Sequence, residues 1–317
     1  MLDSSVGAAR AKQAPKLLSP MIQAALPFPN IDPVLIHIYG PISIRWYALS
    51  YIAGLLLGWA YVVKLLRTQK LWAGRPFMGK PPATPDDIGD LFVWITLGVI
   101  IGGRLGFVLF YGMFYCGFAG QSVPACVGLP DAYWQNPLKI LAAWEGGMSF
   151  HGGLVGVVIA ILAFCRNRKL NLWSVADLIA AATPIGLFFG RIANFINGEL
   201  WGKITDVPWA VVFPNAFPPG LPRHPSQIYE AFMEGVLLFF LLRYLILRWE
   251  IHRRPGLVVA WFSAGYGTFR FIGEFFRDSE SKIYGWFSMG QLLSLPMWAA
   301  AAFLFWYALR HPLKATP

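Results

Sequence analysis

The stretch that decides the fold runs from residue 173 to residue 197; it reads WSVADLIAAATPIGLFFGRIANFIN and continues at 198–202 as GELWG. A mostly apolar segment of this length can cross a bilayer as an α-helix. Its far end, however, carries Arg191, Asn194 and Asn197. Because these residues are spaced three apart, they share one face of the helix. Charge at membrane depth is costly, so we predict that this face forms a functional site that holds an anion.

The rest of the chain has the composition of an integral membrane protein. Hydrophobic residues make up 56% of its 317 residues and charged residues only 13%, whereas about a quarter of the residues in a soluble domain are charged. The apolar residues form continuous runs rather than the alternating pattern of barrel strands. Seven runs have roughly the length of a membrane span: 43–66, 89–112, 149–165, 173–197, 228–247, 257–276 and 288–309. We therefore predict an all-α integral membrane protein with about seven transmembrane helices.

The basic residues predict the orientation of these helices. The formal net charge of +10 could indicate a nucleic-acid binder, but much of the positive charge lies in short segments beside the runs. The segments after the first, third, fifth and seventh runs are the richer set, with Arg67, Lys70, Arg75, Lys80, Arg166, Arg168, Lys169, Arg248, Arg253, Arg254, Arg310 and Lys314. Such segments are cytoplasmic under the positive-inside rule. We therefore predict a periplasmic N-terminus, a cytoplasmic C-terminus and no nucleic-acid partner.

One membrane domain accounts for most of the chain. Residues 28–312 are predicted to form a single polytopic domain with long periplasmic loops at 113–148 and 198–227. Residues 1–27 are predicted to be a poorly ordered extension. Residues 1–20 do not resemble a signal peptide, because no apolar segment follows their basic residues. Residues 313–317 are predicted to be a cytoplasmic tail.

The cysteines, histidines and serines do not indicate a metal, a cofactor or a serine nucleophile. Cys116 and Cys126 fall in one predicted periplasmic loop, where they could form a disulfide, and Cys165 is predicted to be inert filler. The chain contains no C-x-x-C pair and no H-E-x-x-H pattern. It also lacks the G-x-S-x-G turn that exposes a nucleophilic serine. We therefore predict no metal and no cofactor.

Polar groups from five of the runs are predicted to lie at one depth, in the outer half of the membrane. They are Tyr47, Arg104, His151, Arg191, Asn194, Asn197, Arg270 and Glu274. Arg270 and Glu274 are four residues apart and Arg277 follows three later, so the three side chains share a helix face. The arginines outnumber the carboxylate in this set. We therefore expect a pocket with net positive charge that binds an anion.

His151 opens the third run and is followed by glycines at positions 152, 153 and 156. The glycines permit close approach of either a neighbouring helix or a ligand. A histidine at the start of a helix can be a structural hydrogen-bonding residue, but a neutral imidazole can also accept a proton. Both roles of His151 stay open at this point.

Six motifs carry these residues in order along the chain. The most specific is G-R-x-x-N-F-x-N-x-E-x-x-G at 190–202. The others are I-R-W-Y at 44–47, G-R-L-G at 103–106, H-G-G at 151–153, H-P-S-Q-I-Y-E at 224–230 and Y-G-T-F-R at 266–270, followed by Glu274 and Arg277. Together they resemble the motifs of the bacterial phosphatidylglycerol–prolipoprotein diacylglyceryl transferase family over nearly all of 28–310. Ala193 departs from the first motif, where glycine is expected.

The resemblance implies an enzyme that transfers the diacylglyceryl group of phosphatidylglycerol to the lipobox cysteine of a preprolipoprotein, forming a thioether and releasing glycerol 1-phosphate. Arg191 and Arg270 would then bind the phosphate, and His151 would either take the thiol proton or orient the headgroup. The implied substrate-binding residues are Tyr47, Arg104, Asn194, Asn197, Glu199, Gly202, Glu274 and Arg277. Arg104 could instead be structural. The implied location is the bacterial inner membrane, with the active site toward the outer leaflet.

One alternative is a transporter or flippase for an anionic lipid. That function predicts charges near the membrane midplane and a pair of interrupted helices, and neither is evident in the sequence. A membrane scaffold without catalytic activity is a further alternative, but it leaves the arginines unexplained.

Overall fold

A computed structural model describes residues 25–29, 31–39, 42–116, 133, 135–142, 147–278, 282–283 and 287–311. Within these residues the protein is mostly helical, as predicted. The α-helices are α1 (Trp46–Arg67), α2 (Gln69–Trp72), α3 (Pro85–Gly106), α4 (Phe150–Arg168), α5 (Leu172–Ile196), α6 (Ser226–Glu230), α7 (Leu238–Arg248), α8 (Leu257–Gly273) and α9 (Met289–Arg310). A π-helix, Phe107–Tyr115, extends α3, and another, Ala231–Leu237, joins α6 to α7.

Four helical segments of the described chain are, by length and composition, able to cross a membrane. They are Trp46–Arg67, Pro85–Phe114, Leu172–Ile196 and Met289–Arg310. They coincide with the first, second, fourth and seventh predicted runs. The other three predicted runs are also largely helical, in α4, in α6 to α7 and in α8. The helical membrane-protein class is therefore supported, whereas the count of seven spans and their orientation stay predictions.

Short strands precede α1 and lie between later helices, and the all-α prediction did not include them. They are β1 (Leu26–Pro27), β2 (Val34–Tyr39), β3 (Ile42–Arg45), β4 (Val211–Val212), β5 (Pro222–Arg223), β6 (Lys282–Ile283) and β7 (Phe287–Ser288). Strand β1 pairs in parallel with β4, which pairs antiparallel with β5. The other two pairs, β2–β3 and β6–β7, are antiparallel hairpins. This pairing satisfies backbone hydrogen-bonding groups where the chain is not helical.

Several predictions fall wholly or partly outside the described residues. The tail 313–317 and the first 24 residues of the extension 1–27 do so, while residues 26–27 form β1. Cys116 is disulfide-bonded, and Cys126, its predicted partner, lies outside the described residues. Cys165 is a buried free thiol in α4, consistent with its prediction as filler.

The chain divides into two compact units. Unit 1 comprises Met1–Gly58, Ala180–Ile251 and Leu257–His311, and unit 2 comprises Trp59–Ile179, His252–Gly256 and Pro312–Pro317. Whether residues 28–312 act as a single domain stays a prediction.

In unit 2, α3 and α4 pack with their backbones in direct contact. A methyl group built on Gly102 would lie 2.4 Å from the carbonyl oxygen of Gly152, and one on Gly156 would lie 2.0 Å from that of Gly98. Only residues without a Cβ permit such an approach. Gly152 and Gly156, which follow His151, therefore allow α3 to approach α4 closely. The sequence had left open whether these glycines make room for a neighbouring helix or for a ligand.

We expect Gly156→Ala to destabilise unit 2 by about 1–3 kcal/mol, because the added methyl group overpacks the α3–α4 contact. Thermal unfolding in detergent measures the effect. Gly89→Ala is the matched control, since a Cβ at Gly89 would meet no atom within 4 Å, and its stability should be unchanged or slightly higher. Equal stability of the two variants would contradict the packing described here.

In unit 1, α1 and α5 run antiparallel. A methyl group on Gly54 would lie 3.1 Å from the Cα atom of Gly186, and one on Gly58 would lie 3.8 Å from the Cβ atom of Ala182. A step forward along α1 is therefore a step backward along α5. This register brings the first turn of α1, with Tyr47, to the level of the last turns of α5, where Arg191 and Asn194 lie.

Candidate active site

Arg191, near the end of α5, contacts two carboxylates of the segment that joins α6 to α7. Its Nε and Nη2 atoms donate to Oε2 of Glu234 at 3.2 and 3.0 Å. Its Nη1 atom lies 3.0 Å from Oε2 of Glu230. Two acids from one helical segment therefore fix the plane of the guanidinium, because a planar fork of donors contacts both.

Arg270, in the last turn of α8, shares the same partner. Its Nη1 atom donates to Oε1 of Glu230 at 2.7 Å, and its Nη2 atom forms an ion pair with Glu274. The second contact agrees with the four-residue spacing in the sequence. Nη1 of Arg277 lies 3.6 Å from the same Oε1 atom of Glu230. Glu230 therefore joins three arginines from two separate segments of unit 1.

These residues form what we call the Arg–Glu cluster: Arg191, Glu230, Glu234, Arg270, Glu274 and Arg277. Its carboxylates are enclosed, with side chains 0–1% exposed, whereas the side chains of the arginines are 14–18% exposed. The acids are thus fully enclosed, whereas each arginine keeps a small part of its side chain exposed. Such an arrangement can hold an anion in a fixed geometry, because the donors are already oriented.

The cluster corrects the prediction of a net positive pocket. Its three guanidiniums are matched by three carboxylates, so the ionised cluster has no net charge. The prediction counted Glu274 but overlooked Glu230 and Glu234. A signal was available, since these two acids stand four residues apart in the apolar run 228–247. Acids in such a run are costly unless they are paired, and they therefore predict nearby cations.

The residues that follow α5 form a second set of polar contacts. The side-chain amide of Asn194 donates to Oε1 of Glu199 at 2.7 Å, and the amide of Gln227 donates to the carbonyl oxygen of Glu199 at 2.6 Å. Asn194 and Gln227 are both buried. Glu199 therefore links two other residues of the sequence motifs by hydrogen bonds, and Gln227 of α6 is a member that the prediction did not assign.

Gly202 joins the turn after α5 to the segment after α8. Its amide donates to the carbonyl oxygen of His224 at 2.9 Å, and it forms a β-bridge with Arg277. A Cβ atom here would lie 2.5 Å from the carbonyl oxygen of Phe276. Arg223 is 1% exposed and donates to the carbonyl oxygen of Gly202 at 3.3 Å. Arg223, which belongs to none of the sequence motifs, therefore holds this junction together through its guanidinium.

Tyr47 and Asn197 each contact a residue of their own helical segment. The hydroxyl of Tyr47 is 3.3 Å from that of Tyr51, and their rings are 5.1 Å apart. Asn197 is half-buried just beyond α5, and its amide donates to the carbonyl oxygen of Ala193 at 3.0 Å. Both residues belong to unit 1, and their substrate-binding roles stay predictions.

Arg104 belongs to unit 2, where its guanidinium donates hydrogen bonds to backbone carbonyl oxygens of a loop. It is buried and donates to the carbonyl oxygens of Lys139, Ile140 and Gly147 at 2.5, 2.9 and 3.3 Å. These contacts favour the structural alternative for Arg104, because the side chain anchors the loop between α3 and α4.

His151 also belongs to unit 2, in the first turn of α4. His151 is exposed. The hydroxyl of Ser149 caps the helix by accepting a hydrogen bond from the amide of Gly152 at 3.2 Å. The cap fixes where α4 begins and therefore where His151 stands. An exposed imidazole can exchange a proton with a bound thiol or with water, so the position is compatible with either predicted role.

His224, which the prediction did not assign, packs in an aromatic cluster beside the Gly202 junction. Its Nδ1 atom is 3.2 Å from the hydroxyl of Tyr229, which accepts from Nε1 of Trp209 at 2.6 Å. The His224 ring is 5.3 Å from that of Phe276. Burial lowers the pKa of His224, Lys203 lowers it further, and Asp206 opposes both.

We expect this lowered pKa to weaken the fold in acid. Because the folded protein binds a proton at His224 less readily than the unfolded chain does, stability falls as the pH drops below about 6.5 toward the lowered value. Above that range the contribution is constant. The fall in unfolding temperature between neutral and acid pH should be smaller in His224→Gln than in the wild type, whereas His311→Gln should keep the wild-type fall. Equal falls in all three proteins would contradict this interpretation.

Known proteins match this chain over most of its length. The family described as prolipoprotein diacylglyceryl transferase matches residues 33–307. A Brucella anthropi protein named phosphatidylglycerol–prolipoprotein diacylglyceryl transferase is 45% identical over 295 residues, or 92% of this chain and 96% of that protein. Proteins of the same name from Brucella canis and Brucella ovis are each 46% identical over 291 residues, or 90% of this chain and 95% of theirs. With the family match and the relatives both extending over most of its length, the chain belongs to the prolipoprotein diacylglyceryl transferase family.

Proposed function

We propose that this protein transfers the diacylglyceryl group of phosphatidylglycerol to a cysteine thiol of a prolipoprotein. The observation that carries the proposal is the 45–46% identity to proteins of that name over at least 90% of the chain. The acceptor in this proposal is the lipobox cysteine in the signal peptide of a preprolipoprotein. The products are a thioether and glycerol 1-phosphate. A lipid transporter is not favoured, because the relatives are named for a transfer reaction.

We place the protein in the bacterial inner membrane as a multi-pass protein of about seven spans. The four long apolar helices support membrane insertion. The basic segments at residues 67–80 and 248–254 support a cytoplasmic position for those parts of the chain. With the N-terminus in the periplasm, the end of α5 lies in the outer half of the membrane, and the site opens toward the outer leaflet.

Arg191 and Arg270 are our choice for the residues that bind the lipid phosphate. Glu230 contacts both guanidiniums and is enclosed, whereas both arginine side chains are partly exposed, so N–H groups that Glu230 does not bind can donate to the phosphate oxygens. Arginine suits this task because its fork of N–H donors matches two oxygens at once.

The reaction needs a base and a leaving group. A cysteine thiol has a pKa of about 8.5, so the attacking thiol must lose its proton. We assign that proton to His151. The thiolate sulfur then bonds to the carbon of the diacylglyceryl group that is attached to the phosphate. The bond from that carbon to the phosphate oxygen breaks, and its electron pair stays on the oxygen of the departing glycerol 1-phosphate. Arg191 and Arg270 stabilise the charge that develops there.

The remaining predicted site residues are assigned to the headgroup and its surroundings. Asn194 and Glu199 form a hydrogen-bonded pair that can bind glycerol hydroxyls, and Tyr47 lies at the same level of α1. Gly202 holds the turn against the segment after α8. Glu274 orients Arg270, and Arg277 adds a third guanidinium. Asn197 and Arg104 are assigned to the headgroup surroundings, with Arg104 acting through the loop it anchors.

A transfer assay tests the proposal. Purified protein is incubated in detergent with phosphatidylglycerol and a fluorescent peptide that contains a lipobox cysteine, and lipidated peptide is separated by its mobility. We expect lipidation of the cysteine peptide and none of a peptide with serine at that position. Phosphatidylethanolamine in place of phosphatidylglycerol should give little product. No lipidation with any lipid would overturn the proposal.

A further inference from the structure

The charge balance of the Arg–Glu cluster poses a problem for anion binding. With every group ionised, its three arginines and three glutamates sum to zero. A phosphatidylglycerol phosphodiester brings one negative charge. An uncompensated charge in an enclosed site is costly. Binding must therefore be accompanied either by a proton or by separation of a guanidinium from its carboxylate.

Glu234 is the carboxylate with the least compensation. It is 0% exposed; Arg191 contacts only its Oε2 atom, and its Oε1 atom has no hydrogen-bond donor among the described residues. Glu230 also has one oxygen, Oε2, without a hydrogen-bond donor in the described part of the chain, but guanidinium nitrogens of Arg191 and Arg270 lie 3.0 and 2.7 Å from its two oxygens. Glu274 also has one oxygen without a donor in the described part of the chain, but two arginines act on it, Arg270 by contact and Arg277 electrostatically.

The surroundings of Glu234 come from three segments. Arg191 of α5 is its contact partner. Glu230, one turn earlier on its own segment, carries a like charge, and Arg270 of α8 adds a positive charge that acts on Glu234. Tyr266 of α8 adds a phenol group. When a phosphate binds to Arg191, that guanidinium interacts with two anions and stabilises the ionised Glu234 less. The phosphate also places a further negative charge near Glu234.

We propose that Glu234 takes up one proton from solvent when an anionic lipid phosphate binds beside Arg191. The ionised carboxylate, one proton and the phosphodiester monoanion combine into a complex with a neutral Glu234 carboxyl, so the charge of the cluster stays at zero. Glu234 is a positioning residue in this scheme, because it acts on the lipid through Arg191. The inference rests on the proposed function, since phosphatidylglycerol is taken as the anion.

Linkage gives the consequence for affinity. If binding takes up one proton, the dissociation constant for phosphatidylglycerol rises with pH, by up to about tenfold per pH unit wherever Glu234 is ionised in the free protein. A glutamine at this position cannot take up the proton but keeps the size of the side chain and an acceptor for Arg191. The affinity of Glu234→Gln should therefore not change with pH over the same range.

Isothermal titration calorimetry measures the proton directly. Dihexanoyl phosphatidylglycerol is titrated into the detergent-solubilised protein at one pH in Tris and in HEPES, whose heats of ionisation differ. The lipid phosphodiester stays ionised at neutral pH, so any proton that is taken up belongs to the protein. We expect about one proton per lipid for the wild type and for Glu234→Asp, and about none for Glu234→Gln. Asp90→Asn, which alters an exposed ion pair with Arg168, should match the wild type.

Each other outcome overturns the inference. No proton uptake by the wild type would mean that a guanidinium separates from its carboxylate instead. Uptake that persists in Glu234→Gln would place the proton on another group, such as Glu274. Loss of uptake in both Glu234→Gln and Glu234→Asp, with normal unfolding temperatures, would also exclude a titrating role. Transfer to the lipobox peptide is measured on the same wild-type sample, so absence of transfer marks failure of the proposed function, and transfer without proton uptake marks failure of this inference alone.

Discussion

Arg191→Lys is expected to lower kcat/KM for transfer by about 10²–10³-fold. The substitution keeps the positive charge but removes the fork of donors. Arg191 contacts Glu234 through two nitrogens and Glu230 through a third. The single ammonium group of lysine cannot make these contacts and also bind two phosphate oxygens. The measurement is initial transfer rate against phosphatidylglycerol concentration.

Arg248→Lys is the matched control, because Arg248 is exposed at the end of α7. Its rate should stay within about twofold of the wild type. Unfolding temperatures of both variants separate loss of activity from loss of fold. Near-normal turnover by Arg191→Lys would mean that Arg191 only balances the charge of Glu230 and Glu234.

His151→Gln is expected to lower kcat by about 10²–10⁴-fold at neutral pH, which is the range for removal of a general base. The loss should shrink as the pH rises toward the thiol pKa of about 8.5, because the peptide thiol then ionises without help. A role that only orients the headgroup predicts a different pattern: a higher KM and no recovery at high pH.

His311→Gln is the control for this series, since His311 follows the last residue of α9 and stacks on Tyr307. Its pH profile should overlay that of the wild type. Substantial activity of His151→Gln at neutral pH would contradict the assignment of His151 as the base.

Hydropathy was sufficient to predict the helices, because long apolar runs have few alternatives in a bilayer. Their ends were less predictable. The first run begins at 43 in the prediction, but β3 (Ile42–Arg45) occupies its start, and α8 ends at Gly273 rather than at 276. Pairing and turn formation at these ends depend on residues distant in sequence, such as the bridge between Gly202 and Arg277.

Only some of the contacts in the candidate site could be predicted from the sequence. The spacing of Arg270 and Glu274 predicted that the two side chains share a helix face, and the structure pairs them there. The partners of Arg191 were missed, because Glu230 and Glu234 come from a segment about 40 residues away and meet it only in the folded protein. Counting the acids of each apolar run as well as its arginines would have named these two residues. Arg104 shows the opposite case, since its loop partners Lys139, Ile140 and Gly147 offer only backbone carbonyls, which no side-chain pattern reveals.

The identity of the transferred group tests the central claim most directly. The claim is that the phosphate held by Arg191 and Arg270 is the leaving group. After reaction with dipalmitoyl phosphatidylglycerol, the intact mass of the lipobox peptide and the phosphorus NMR spectrum of the mixture are recorded together. We predict that the peptide gains one complete diacylglyceryl group and that one glycerol 1-phosphate appears for each modified peptide. A gain of a single palmitoyl group, with lysophosphatidylglycerol as the phosphorus product, would contradict the account.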